Sequence, residues 1–147
     1  MAETPPSKGG TDREFTITRV FDAPRHLVWQ AWTEPERFAS WFAPRGFTTP
    51  LSKITMDLRP GGTCEFVMVS DEDGSEYPNG GTYLEVVAPE RLVFRDRDVD
   101  LVVTITFRDL GDRTEMTCRV VGETGGDDAL AGWSSSFDKL AESLAHV

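Results

Sequence analysis

Few side chains in this sequence could do chemistry, and their spacing narrows the set further. His26 and His146 are the only histidines. Neither has a second histidine or a cysteine at metal-ligand spacing, so no metal site is expected. Ser134-Ser135-Ser136 falls within a helical pattern, whereas a hydrolase nucleophile needs Gly-x-Ser-x-Gly at a sharp strand-to-helix turn. These serines read as helix-face groups, one of which could point into a cavity and orient a ligand. Arg59-Pro60-Gly61-Gly62 has neither a phosphate-loop pattern nor a following helix, and no cofactor is expected. General acid–base chemistry would need a carboxylate facing an apolar space, where desolvation brings its pKa toward neutrality. Alternation along the strands sets Asp57 and Glu65 toward solvent. Glu76 and Tyr77, beside the Asp73-Gly74 turn, remain as acid–base candidates for a cyclase-, dehydratase- or isomerase-like reaction on an apolar substrate.

The aromatic residues carry more information. Nine Phe, four Trp and two Tyr in 147 residues are many large rings for one small domain. Phe38, Trp41, Phe42 and Phe47 gather in one stretch, Phe66, Met68, Tyr83 and Phe94 lie on strand-like runs, and Trp133 and Phe137 share one helical stripe. They either fill a core or wall a pocket for a flat apolar molecule. Gly132 marks a position where a larger side chain would crowd a neighbour or keep the helix from the sheet.

The elements that must position these residues follow from periodicity. Glu14 to Phe21 alternates Phe15, Ile17 and Arg19 against Thr16, Thr18 and Val20, a strand pattern. Pro24 opens a helix with Leu27, Val28, Ala31 and Trp32 on one face. Thr33-Glu34-Pro35-Glu36 fits a capping box, with Thr33 as the cap of a second short helix bearing Phe38, Trp41 and Phe42. Six strand-like runs follow between Ile54 and Val121, separated by turn chemistry. Asp73-Gly74 is a type I′ hairpin signal, and Gly80-Gly81 marks a bulge or bend. From Asp127 to about Ala145, Leu130, Trp133, Phe137, Leu140, Ala141 and Leu144 form one apolar stripe of a long helix. The order strand, two short helices, six strands, long helix predicts an α+β domain. Its curved antiparallel sheet of about seven strands would be covered on one face by the C-terminal helix, with the short helices at the mouth of a pocket between them.

Composition bounds the function. A single domain of this length buries roughly 68–70% of its unfolded surface and needs no staples. With 15 Lys and Arg against 25 Asp and Glu, the net charge of −10 argues against nucleic acid and against adsorption to anionic membranes. Cys64 and Cys118 sit in strand-like runs outside any C-x-x-C pair and read as buried free thiols. Residues 1–12 lack both a secretory apolar run and core-forming side chains. They read as a disordered tail, with the domain from residue 13 to residue 147 and a cytoplasmic location.

One motif resembles a known superfamily, and four more, in order, resemble one branch of it. Phe21-Asp22-Ala23-Pro24 followed by Trp29 and Trp32 resembles the START-like (SRPBCC) superfamily. Trp41-Phe42-Ala43-Pro44-Arg45-Gly46-Phe47-Thr48, Asp57-Leu58-Arg59-Pro60-Gly61-Gly62, Pro89-Glu90-Arg91-Leu92-Val93-Phe94 and Gly132-Trp133-Ser134-Ser135-Ser136-Phe137-Asp138-Lys139-Leu140 resemble bacterial single-domain members of the branch named after the activator of the heat-shock-protein-90 ATPase. The resemblance implies a helix-grip fold with a hydrophobic cavity and leaves activity open, since that fold hosts carriers, cyclases, receptors and co-chaperone modules. Three expectations follow. The first is binding of a small apolar, lipid-like or aromatic ligand by Phe38, Trp41, Phe42, Phe47, Phe66, Met68, Tyr83, Phe94, Trp133 and Phe137, as a carrier or sensor. The second is a stress-response interaction module with a chaperone or other protein as partner, although the co-chaperone's chaperone-contacting N-terminal region is expected to be missing. The third is the enzyme described above.

Overall fold

A computed structural model describes residues 13–146; the expected tail at 1–12 lies outside the described residues. The elements run β1 (Arg13–Phe21), α1 (Arg25–Thr33), α2 (Pro35–Ala39), β2 (Phe47–Thr48), a 3-10 turn (Leu51–Lys53), β3 (Thr55–Met56), β4 (Thr63–Ser70), β5 (Glu76–Val87), β6 (Arg91–Asp96), β7 (Leu101–Asp109), β8 (Thr114–Gly122) and α3 (Gly126–Leu144). All pairings are antiparallel, in the order β1-β8-β7-β6-β5-β4-β2, with β3 also on β4. Strands β4 to β8 form the expected meander, and β1 closes onto β8.

The sheet has eight strands rather than seven. The addition, β2, pairs Phe47 and Thr48 with Ser70 and Val69. The run expected over Ile54 to Leu58 shortens to Thr55–Met56. Its ladder ends where Asp57 N–H bonds the Thr63 carbonyl at 2.8 Å and the Arg59-Pro60-Gly61-Gly62 turn begins. The β4–β5 connection is longer than the two-residue turn expected from Asp73-Gly74. Ser70 N–H bonds the Ser75 carbonyl and Gly74 N–H bonds the Ser70 carbonyl, both at 2.9 Å, with Gly74 at φ 76°. Gly80 and Gly81 lie inside a continuous β5; the register shift falls later, between Tyr83 and Glu85.

Thr33 caps nothing. Its hydroxyl is buried and donates back to the Trp29 carbonyl at 3.0 Å, and Glu34 stands at the start of α2 without a side-chain cap. The helical threonine satisfied itself within its own helix, the usual competitor to capping. Pro35 at the first helical position supplies the pre-set φ that the missing cap does not.

Helix α3 begins after Gly125 in the left-handed region (φ 89°), with Asp127 and Asp128 against the positive end of the helix dipole. Arg19 on the inner face of β1 holds it: its Nη1 donates to Asp138 Oδ1 at 2.9 Å and its Nη2 to the Ser134 carbonyl at 3.3 Å. On the other side Lys139 Nζ donates to the Ala43 and Phe47 carbonyls at 3.0 and 3.2 Å, tying α3 to the segment after α2. The stripe is narrower than its periodicity suggests. Phe137, Leu140 and Leu144 are buried, whereas Leu130 and Ala141 are exposed. The core lies between the C-terminal half of α3, helices α1 and α2, and the inner residues of β7 and β8, including Ile105, Met116 and Cys118.

Candidate binding cavity

The inner faces of β4 to β7 carry a regular grid. On β4 the inward residues are Cys64, Phe66 and Met68; on β5 they are Asn79, Gly81 and Tyr83; on β6, Leu92, Phe94 and Asp96; on β7, Leu101 and Val103. All border one cavity of about 340 Å³. The register lines them up in rows, with Cys64 opposite Gly81 and Gly81 opposite Asp96, then Tyr83 opposite Phe94 and Phe94 opposite Val103. The row through Gly81 has no side chain at its centre. A Cβ there would overlap the Arg95 carbonyl, and one at Gly80 would come within 2.7 Å of the Cys64 carbonyl. Strand packing therefore leaves bare backbone as part of the cavity floor.

Helix α3 roofs this grid with Ala129, Gly132, Trp133 and Ser136 from its N-terminal half, and Trp32, Phe38, Phe42 and Pro44 close the inner end. The exposed Asp128 also borders the space, which places an opening beside the start of α3. A Cβ on Gly132 would meet only Pro44 Cβ, at 3.8 Å, an ordinary contact. Gly132 therefore neither avoids a crowded neighbour nor brings the helix onto the sheet, against both expectations; it faces free space.

The wall rings brace one another. Phe38 stacks on Phe42 at 4.2 Å and 17°, Phe42 meets Phe66 edge-on at 5.1 Å, and Trp133 lies over Trp32 at 6.5 Å and 25°. Such offset and edge contacts fix ring orientation before anything binds. A half-buried thiol and a buried phenol lie among them. Burial pushes the Cys64 thiol and the Tyr83 phenol above their ordinary values, and the two lie side by side, so both are protonated at neutral pH.

Of the ring and sulfur residues expected at the site, Phe38, Phe42, Phe66, Met68, Tyr83, Phe94 and Trp133 border the cavity, and Phe47, Trp41 and Phe137 do not. Trp41 is fully buried between α1 and α3, its indole N–H donating to the Ala31 carbonyl at 2.9 Å. The mouth is therefore not at Trp41; the short helices close the inner end of the cavity instead, through Trp32 and Phe38. Phe137 is equally enclosed one turn beyond Trp133. Phe47 stands on β2 at the sheet edge, edge-on to Tyr77 at 5.8 Å. The acid–base candidates are outside as well: Glu76 is exposed and pairs with Lys53 at 3.2 Å, and Tyr77 is half exposed. In sequence Trp32 belongs to the apolar face of α1, and nothing in its spacing marks it as a wall residue. Asn79 is in period-two phase with Tyr83, and Leu92 and Asp96 with Phe94, whereas Leu101 and Val103 on β7 are brought to the site only by the strand register.

A family model for Activator of Hsp90 ATPase homolog 1-like protein matches residues 22–145. The chain belongs to that family. Solved structures agree with the fold of this AHSA1-like domain. A crystal structure from Nitrosomonas europaea is 29% identical over 90% of this chain and 94% of that one, with a TM-score of 0.78. One from Chromobacterium violaceum is 29% identical over 90% and 97%, with a TM-score of 0.81. A solution structure of an AHSA1-like protein from Aeromonas hydrophila, 24% identical over 91% and 93% with a TM-score of 0.81, shares the fold. No curated protein matches the sequence. Among the described residues no helix is long and apolar enough to cross a membrane.

Proposed function

We propose that this AHSA1-like domain binds a small apolar molecule in the cavity beneath the N-terminal half of α3, as a carrier or sensor. The observation that carries this reading is a pre-formed, ring-walled space of about 340 Å³ beside the buried aromatic and aliphatic core. Small-molecule sites are typically of about 300–1,000 Å³, mostly apolar and largely formed in advance. The carboxylates at its border support binding over acid–base chemistry: Asp128 is exposed, and Asp96 Oδ1 accepts the Asp98 and Val99 N–H groups at 2.7 and 3.1 Å. The unpaired thiols Cys64 and Cys118 fit a reducing, cytoplasmic compartment.

Titration with uncharged aromatic and alkyl probes, followed by methyl NMR, tests the reading. Saturable shifts at Met68, Leu92, Leu101 and Val103 are expected, with Met116 in the packed core moving less. Absence of shifts across the panel would overturn it.

The net charge of −10 favours a second reading, an interaction module that docks on a basic protein surface. Binding to a chaperone with stimulation of its ATPase, weakening steeply with salt, would support it; no stimulation at low salt would dismiss it.

A further inference from the structure

Two enclosed hydroxyls interrupt the apolar wall from facing elements. Ser136 on α3 is 4% exposed and borders the cavity. A helical serine ordinarily bonds a carbonyl in its preceding turn, but here the Gly132 carbonyl receives the Ser135 hydroxyl at 3.0 Å. The Ser136 hydroxyl has no hydrogen-bond partner among the described residues. Tyr83 on β5 is 2% exposed and borders the same space. Its neighbour is the Cys64 thiol, a weak donor and a weak acceptor. A phenol is protonated at neutral pH, and a thiol is a weak partner for its O–H. A buried polar group left unsatisfied or weakly partnered is costly, so the unpartnered Ser136 hydroxyl and the Tyr83 hydroxyl, with only a thiol beside it, mark where a polar atom of a guest belongs.

The charges narrow the guest further. Among the described residues no Lys, Arg or His borders the cavity, while Asp96 and Asp128 do. An anionic headgroup would meet carboxylates and no cation. The braced rings favour a flat body.

We propose that the cavity selects an uncharged, ring-bearing molecule whose carbonyl-type oxygen is received by the Ser136 and Tyr83 hydroxyls, and that it rejects carboxylate-bearing ligands. This rests on the apolar-ligand reading and specifies its ligand class.

Three probes of one shape test it: 2-acetylnaphthalene, 2-ethylnaphthalene and 2-naphthoate, titrated by NMR into the wild-type chain, Ser136→Ala, Tyr83→Phe and the double variant. The wild type should bind the ketone about five- to tenfold more tightly than the hydrocarbon, the ratio one or two neutral hydrogen bonds supply. Naphthoate should bind most weakly. Each single variant should lower the ketone preference and the double variant abolish it, with hydrocarbon affinity unchanged. Ser136→Ala keeps a helix-favouring residue, so it carries the test if Tyr83→Phe disturbs the fold. Equal binding of ketone and hydrocarbon by the wild type, a preference that survives in the double variant, or naphthoate binding as tightly as the ketone would overturn the proposal and leave the cavity reading standing. If no probe moves a cavity resonance, both readings fall.

Discussion

Trp32 donates its indole N–H to the sulfur of Met116 across 3.3 Å, at a place where neither residue is more than 2% exposed. The bond holds one edge of the indole in the core while Trp133 lies over its face, so a core residue also forms part of the cavity wall. Replacing Met116 by Leu nearly conserves volume but strands a buried N–H. The expected loss in urea titration is about 1–3 kcal/mol. Leu140→Met, a volume-conserving swap without that effect, should cost less than about 1.5 kcal/mol. Equal losses would show that the sulfur contributes shape alone.

Gly132 sits in the interior of α3 with room for a side chain. Gly132→Ala should raise stability by about 1 kcal/mol, because helix propensity improves without a clash. Gly132→Leu should reach into the cavity and weaken binding of a neutral aromatic probe by about tenfold or more, equivalent to about 1.4 kcal/mol. Thermal melts and the probe titration check the pair; a destabilised Ala variant would place Gly132 against a contact the structure does not contain.

Gly81 has the opposite sign. Its added methyl would overlap the Arg95 carbonyl of the adjoining strand, and backbone in the middle of a sheet cannot yield as a side-chain tip can. Gly81→Ala should cost about 1–3 kcal/mol by overpacking. A chemical-denaturation midpoint unchanged from wild type would refute that close approach.

Cys118 is fully buried on β8 among apolar neighbours, and burial pushes its thiol up to about 12. The folded state therefore keeps a proton that the unfolded chain releases near the ordinary thiol value of 9.0. This contribution is fully present below that ordinary value and is lost as pH rises through the folded value. Wild-type stability should fall between pH 9 and 12 more steeply than that of Cys118→Val, which has no thiol to ionise. Parallel curves for the two proteins would rule out this thiol as a source of alkaline sensitivity.

Much of the architecture was legible because it is written in local periods. The alternation of Phe15, Ile17 and Arg19, and the spacing of Phe137, Leu140 and Leu144, each identify an element and its inward face without reference to the rest of the chain. The sequence is ambiguous where two local rules compete. Thr33 could cap the following helix or bond within its own, and the choice depended on its burial beside Trp29. Gly80-Gly81 could bend a strand or admit a close neighbour, and only the positions of the Cys64 and Arg95 carbonyls distinguish these.

The candidate site was less legible for a related reason. In sequence Trp133 and Phe137 are equivalent, two rings four residues apart on one stripe of one helix. In the structure Trp133 borders a cavity, while Phe137 is sealed in the core. The kinds of element, their order and the face each turns inward follow from the sequence, because hydrophobic period and turn chemistry act over a few residues. Where α3 packs shut against the sheet and where it leaves room is a property of the folded chain alone. That spacing follows from side-chain volumes brought together across strands and helices far apart in the chain, and no local pattern encodes such a sum.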